Sequence, residues 1–230
     1  MELPTLSRLG RLAVDLLYPP LCALCGRPGA LLCDACLDSF PPAGGRRCGC
    51  CWLPLAPGGC RSCLAHPVAL RRIRSAYRYA GPARELVHRF KFGDLTSLAE
   101  VMAPPMASLV EWPIDAVAPV PLTPTRERER GYNQAALLAR GVGRALGAPV
   151  VTALKRTRSG RPQARSAGAD ERRGNVAGAF AVRDAGSVRD RSVLLVDDVA
   201  TTGATLDACA RALLDAGARE VTAVTFARED

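Results

Sequence analysis

The spacing of apolar residues divides the chain into three stretches. In residues 1–20, Leu6, Leu9, Ala13, Leu16 and Leu17 recur at helical spacing until Tyr18, Pro19 and Pro20 stop the run, which predicts a short amphipathic helix. Residues 22–63 have no sustained period and are rich in Gly, Pro and Cys. Such a segment cannot bury a core of its own and needs a metal or a staple. From about Arg71 the periods return. Residues 75–79 alternate like a strand, and residues 84–92 carry Leu86 and Phe90 at helical spacing. A helix over residues 95–109 is expected to break at Pro104 and Pro105, which cannot donate to the preceding turn.

The second half alternates between the two periods. Short apolar runs at 114–120, 149–154, 176–182, 192–197 and 220–227 read as strands, the clearest being 192–197. Between them, residues 131–146 place Leu137, Leu138, Val142 and Leu146 on one helical face, and residues 205–216 form a helix closed by Gly217. Short buried strands alternating with helices predict an α/β fold with a mostly parallel sheet flanked by helices. Residues 155–173 are long, polar and aperiodic, which marks a functional or disordered loop. The change of character divides the chain into residues 1–66, an N-terminal helix with a cysteine-rich module, and residues 67–230, the α/β domain.

Composition narrows the classes. Hydrophobic residues are 48% and charged residues 23% of 230, which excludes a disordered or fibrous chain. No apolar run reaches the roughly 18 to 20 residues of a membrane span, so no membrane insertion is expected. Arg8, Arg11 and Asp15 interrupt what would be a signal peptide, which predicts a cytoplasmic protein. The net charge of +9 is almost all arginine, lysine occurring at Lys91 and Lys155 alone. That excess favours anionic partners, nucleic acid or phosphorylated small molecules, and arginine suits bidentate phosphate contacts. A GC-rich genome accounts for the same composition without a ligand.

Nine of the ten cysteines fall between Cys22 and Cys63. In a chain without an export signal these are expected to be reduced thiols rather than disulfides. Their order is Cys22-x2-Cys25-x7-Cys33-x2-Cys36, then Cys48-x2-Cys51-x8-Cys60-x2-Cys63. A Cys-x2-Cys turn sets two thiolates at a tetrahedral edge, so four such turns predict zinc, one or two structural ions, in preference to a redox or iron–sulfur role. Sulfur fills every ligand position, which leaves no place for a catalytic water. Spacing does not decide which cysteines share an ion. Cys50 reads as a bystander and Cys209 as a small core residue.

The strand at 192–197 ends in Asp197 and Asp198, followed by Val199, Ala200, Thr201, Thr202, Gly203, Ala204 and Thr205. Free N–H groups of a small-residue loop and the positive end of the following helix make an anion site. The threonine hydroxyls add donors, and Gly203 lets the backbone approach a phosphate. Adjacent carboxylates beside such a site suit sugar hydroxyls or magnesium. No Walker motif G-x-x-x-x-G-K-[ST] occurs. A strand ending in Asp with a threonine helix cap is the plainer structural reading of the same residues.

The segment from Val193 to Thr205 resembles the phosphoribosyl pyrophosphate motif of type I phosphoribosyltransferases. The rest of the chain is similar to the ComF, or GntX-like, branch, in the stretches 18–22, 85–91, 119–122, 130–134 and 175–180. The resemblance covers residues 17–228 and implies a type I phosphoribosyltransferase fold with a small N-terminal zinc-ribbon module. It implies that Asp197 and Asp198 bind the ribose hydroxyls, with magnesium, and that residues 199–205 cradle the 5′-phosphate. Arg126, Arg130 and Gly131 fall on the pyrophosphate side, and Asp197, Asp198, Arg130 and Lys155 carry catalysis. The loop at 155–173 would close over the site with seven basic residues against Asp170 and Glu171. The implied reaction displaces pyrophosphate from ribose C1 by a nitrogen nucleophile, through an oxocarbenium-like state. The same family includes late competence proteins, so the other implied role is DNA uptake, with single-stranded DNA and a competence helicase as partners. Two positions depart from the family pattern. Ala167, Gly168 and Ala169 stand where a Leu is usual in the loop, and Trp52 stands where a glycine commonly follows the second cysteine pair.

Overall fold

The computed structural model describes residues 19–65, 68–157 and 178–230. The expected N-terminal helix and most of the loop at 155–173, with Ala167, Gly168 and Ala169, lie outside them.

Four parallel strands build the main sheet: β1 (Arg72–Arg78), β2 (Ala116–Pro119), β5 (Ser192–Ala200) and β6 (Glu220–Arg228), in the order β1-β6-β5-β2. A separate antiparallel pair joins β3 (Leu154–Arg156) to β4 (Phe180–Val182). The helices are α1 (Asp34–Asp38), α2 (Arg61–Ala65), α3 (Gly81–Phe92), α4 (Leu98–Ala107), α5 (Pro124–Arg130), α6 (Gln134–Leu146) and α7 (Ala204–Asp215). Both faces of the sheet are covered, which is why the strands read as continuous apolar runs. Along β5 the side chains alternate between two cores. Leu194 and Val196 pack with Leu86, Phe90, Met102 and Leu138 of α3, α4 and α6, whereas Val193 and Leu195 pack with Leu206, Cys209 and Leu213 of α7.

Three expectations shift. The helix at 98–107 runs through Pro104 and Pro105 instead of breaking, and those prolines are exposed and half-buried, so water can meet the carbonyls they leave free. The helix expected over 131–146 starts three residues later, at Gln134, and an unexpected short helix precedes it: Thr123 caps α5, Gly131 ends it at φ +73°, and Asn133 caps α6. The run at 149–154 enters the sheet at a single bridge, Val150 to Val117, and its regular pairing starts at Leu154.

The cysteine-rich segment is not a separate globule. Cys22, Ala23, Leu32 and Phe40 belong to the same buried cluster as Leu86 and Phe90. The chain at 41–43 pairs with the edge of β1, through Ala43 N–H to Ala76 O at 3.0 Å and Arg78 N–H to Pro41 O at 2.8 Å. The otherwise open edge strand is thereby covered. Among the described residues, no helix is long and apolar enough to cross a membrane.

Candidate functional site

Two kinds of site emerge, one built on sulfur and one at the end of β5. The sulfur atoms form two groups, Cys22, Cys25, Cys33 and Cys36, and Cys48, Cys51, Cys60 and Cys63, each with its ligand atoms within 4.8 Å of one another. The pairing is therefore sequential along the chain, which the spacing had left open. A zinc–sulfur bond of about 2.3 Å implies tetrahedral sulfur edges of about 3.8 Å. Observed separations are 3.7 Å for Cys25–Cys33, 3.8 Å for Cys48–Cys63 and 3.4 Å for Cys51–Cys60. These are free thiols spaced for an ion rather than for a disulfide. Both groups could hold zinc. Cys50 and Cys209 lie outside them, Cys50 facing the Leu70 carbonyl at 3.5 Å and Cys209 buried against α7's neighbours.

At the other site β5 continues through both carboxylates to Ala200, three residues beyond the end read from the apolar run. Adjacent strand residues point to opposite faces, so Asp197 and Asp198 are divided between the two layers. Asp198, 6% exposed, meets α3, where Lys91 Nζ lies 2.9 Å from its Oδ1. Asp197 takes its own neighbour's backbone, Asp198 N–H donating to Oδ1 at 2.9 Å. Burial first and the adjacent Asp198 charge second push the Asp197 carboxyl up to about 7, against the opposing pull of Lys91 and Arg130. Two carboxylates thus share one lysine, which leaves Asp197 suited to a cation or to hydroxyl donors. Magnesium's preference for hard oxygen ligands fits that donor set.

Past Ala200 the chain turns through exposed Thr201 and half-buried Thr202 to Gly203, which caps α7 at φ +79°. A side chain there would sit in the left-handed region, so the glycine is required by the turn. Thr202 Oγ1 accepts from Ala204 N–H at 3.3 Å, and Thr205 lies in the first turn of α7. The result is a helix N-terminus beside the end of β5, the geometry of an anion cradle.

The remaining basic residues divide. Arg130 stacks its guanidinium 5.0 Å from the Phe92 ring and donates to Gln134 Oε1 at 3.1 Å. Arg126 is exposed on α5, and Gly131 forms the turn between α5 and α6. Lys155 is exposed on β3, while Arg156, the next residue, turns to the opposite face. Its guanidinium lies 5.3 Å from the Phe180 ring, and its buried Nε has no partner among the described residues. Burial and then the charge of Arg126 hold Arg156 below the usual arginine range, with Asp197 pulling the other way. Arg156 is thus closer in role to the Asp197 side than Lys155.

The sequence alone gives Lys91 no role. It lies 107 positions from Asp198, so no local pattern links them; its rarity was the available signal, as one of two lysines.

Comparison with known proteins fits this geometry. The phosphoribosyl transferase domain family matches residues 130–230, from Arg130 through β6. The chain is 32% identical over 222 residues to "DNA utilization protein YhgH" of Escherichia coli O157:H7, covering 90% of this chain and 96% of that one. It is 28% identical to "Competence protein ComFC" of Bacillus subtilis, over 88% of this chain and 86% of the relative. It is also 32% identical to "Competence protein F" of Haemophilus influenzae, over 86% and 90%. With a phosphoribosyltransferase fold, two tetracysteine groups fit for a double zinc ribbon and relatives matched over nearly their whole length, the chain belongs to the ComF family.

Proposed function

We propose that the end of β5 binds phosphoribosyl pyrophosphate with magnesium as a phosphoribosyltransferase site, and that the two tetracysteine groups hold structural zinc. The observation that supports the reading most is the division of labour between Asp198, held by Lys91, and Asp197, which among the described residues has no paired cation of its own and lies beside a glycine-capped helix N-terminus. Asp197 accepts from the ribose hydroxyls, and Lys91 fixes Asp198 on the opposite face of the strand. Backbone N–H groups from Thr202 to Thr205 hold the 5′-phosphate. Arg126, Arg130 and Arg156 supply positive charge for departing pyrophosphate, with Lys155 at the mouth. Magnesium, when bound, would neutralise charge on the leaving group. Placing the donor sugar in fixed geometry supplies much of the remaining rate.

Calorimetric titration of phosphoribosyl pyrophosphate with magnesium tests the reading. Wild type should bind saturably and Asp197→Asn/Asp198→Asn should not, with zinc content and folding intact in both. Absence of wild-type binding at millimolar ligand would overturn the donor site. The names of the relatives place those proteins in DNA utilization and competence. Single-stranded DNA, tested by fluorescence anisotropy, and a helicase partner then become the ligands to examine.

A further inference from the structure

Arg228 ends β6 and is 0% exposed, and its Nε, Nη1 and Nη2 are all buried with no hydrogen-bond partner among the described residues. Its backbone is pinned on both sides. Tyr79 N–H donates to its carbonyl at 2.6 Å, and it stands in register with Arg78 of β1 and Ala200 of β5. The side chain therefore cannot swing to water without dismantling the end of the sheet. An arginine remains charged at any physiological pH, and an isolated charge in the interior is strongly disfavoured.

The second cysteine unit is tied to this end of β6, because Arg47, the residue before Cys48, donates both to the Trp52 carbonyl at 3.2 Å and to Asp230, two residues past Arg228; the charges acting on Arg228 include those of Cys51, Asp230, Arg47 and Cys60. Asp230 is already shared: Arg47 donates to both of its carboxylate oxygens, Nη2 at 3.0 Å, and Arg78 Nε lies 3.0 Å away. Two arginines thus already share that carboxylate. Among the described residues, the cysteines are the acidic groups near Arg228 that no other cation already holds, and four neutral thiols supply no charge. Four thiolates around a divalent ion carry two surplus negative charges.

We propose that Arg228 is the buried counter-charge of the second tetracysteine site, so that metal there makes the burial of this arginine tolerable. The proposal rests on the zinc reading of Cys48, Cys51, Cys60 and Cys63. The first unit meets a cation differently: Arg89 donates to the Ala23 carbonyl and pairs with Glu85 at 2.8 Å. Because Arg228 pairs with Ala200, the strand residue just before the phosphate turn, loss of the second metal leaves an unbalanced charge beside that turn.

The test compares wild type, R228M and R228K as full-length, zinc-loaded proteins. Zinc per chain is counted by mass spectrometry. EDTA is then added with N-ethylmaleimide, and peptide mapping follows alkylation of each cluster separately. In R228M, alkylation of Cys48, Cys51, Cys60 and Cys63 should run about tenfold faster than in wild type, the first cluster keeping its wild-type rate. R228K keeps the charge and should stay close to wild type, which preserves the test if R228M does not fold. Melting after chelation should invert the order, with R228M above wild type, because the apo variant no longer buries a lone cation. Equal acceleration of both clusters, an indifferent second cluster, or R228K releasing zinc as fast as R228M would overturn the proposal. Wild type with no zinc in the second cluster would overturn the zinc reading beneath it.

Discussion

The two tetracysteine units repeat one local design and are fastened to the molecule by opposite means. In both, the first cysteine accepts from the residue four positions on, Gly26 N–H to Cys22 O at 2.9 Å and Trp52 N–H to Cys48 O at 3.1 Å. In both, the same cysteine donates five residues ahead, Cys22 to Arg27 O and Cys48 to Leu53 O, each at 2.8 Å. A five-residue helix then carries the last cysteine, α1 for Cys36 and α2 for Cys63. The first unit docks mainly through apolar contacts, with the Arg89 bond to the Ala23 carbonyl beside them. Phe40 packs edge-on against Tyr77 at 5.0 Å and Phe226 at 5.9 Å, while its ligand Cys25 stays exposed. The second docks through polar ones: Ile73 N–H to Cys50 O at 2.7 Å, Arg74 to Gly49 O at 2.9 Å, the Arg47–Asp230 pair and buried Arg228. Units with the same four-sulfur arrangement thus serve differently, the first as a cover and the second as a brace on the end of the sheet from which the turn at residues 201–203 leaves.

Removing one ligand from each unit is the severest way to break this contrast. Cys51→Ser strips a buried ligand and unbalances Arg228, and should cost about 4 kcal/mol or prevent folding. Cys25→Ser, at an exposed ligand, should cost about half as much and leave one zinc per chain. Calorimetric melting with a zinc count checks both, and equal losses would erase the distinction. Phe40→Ala comes next, at about 3 to 4 kcal/mol from the cavity under the first unit. It should leave the second cluster's resistance to EDTA unchanged; faster release there would mean the units share their anchorage.

The position after the second cysteine gives a smaller and more pointed contrast. Gly26 at φ +72° and Trp52 at φ +63° occupy the same left-handed turn. Trp52 accepts roughly 1 kcal/mol of backbone strain. In return its indole donates to Ser75 O at 3.2 Å and carries the Arg74 guanidinium 4.3 Å from the ring. Trp52→Gly should therefore destabilise by about 2 kcal/mol despite relieving the turn. Gly26→Ala, where an added Cβ meets nothing within 4 Å, should cost only the turn, about 1 kcal/mol. Denaturant midpoints measure both, and a stabilised Trp52→Gly would show that the indole contributes nothing.

Trp52 also shows what a sequence can disclose. The departure from glycine was visible, but the indole's partner is 23 residues away across a strand edge. The strand at 192–197 and the helix after the small-residue loop were legible because an apolar run and turn chemistry are local, although the cap is Gly203 rather than a threonine. The Lys91–Asp198 pair and the isolation of Arg228 were not, since burial and partners are properties of the assembled sheet. The break expected at Pro104 failed for a related reason. Packing of Met102 and Met106 against α6 and the sheet outweighs a local defect on the outer side of the helix.

The mildest cut is Asp230→Asn, at the clamp between the second unit and β6. Burial raises the Asp230 carboxyl, but hydrogen bonds and charge from Arg47 and Arg78 outweigh it and hold the group below the usual carboxylate range. A depressed carboxyl contributes stability above its unfolded pKa of about 3.9, and that contribution is lost as pH falls through the lower folded value. The clamp is partly solvated, so its share should be about 0.5 to 1 kcal/mol and should shrink with added salt. Wild type should melt above Asp230→Asn at pH 7, and the two curves should converge as pH drops below about 4. The substitution also leaves Arg47 and Arg78 unpaired beside Arg228, so zinc in the second cluster should matter more to it than to wild type. A gap that is unchanged by pH, or equal in zinc-loaded and chelated protein, would show the clamp to be a packing contact rather than part of the charge balance that braces this end of the sheet.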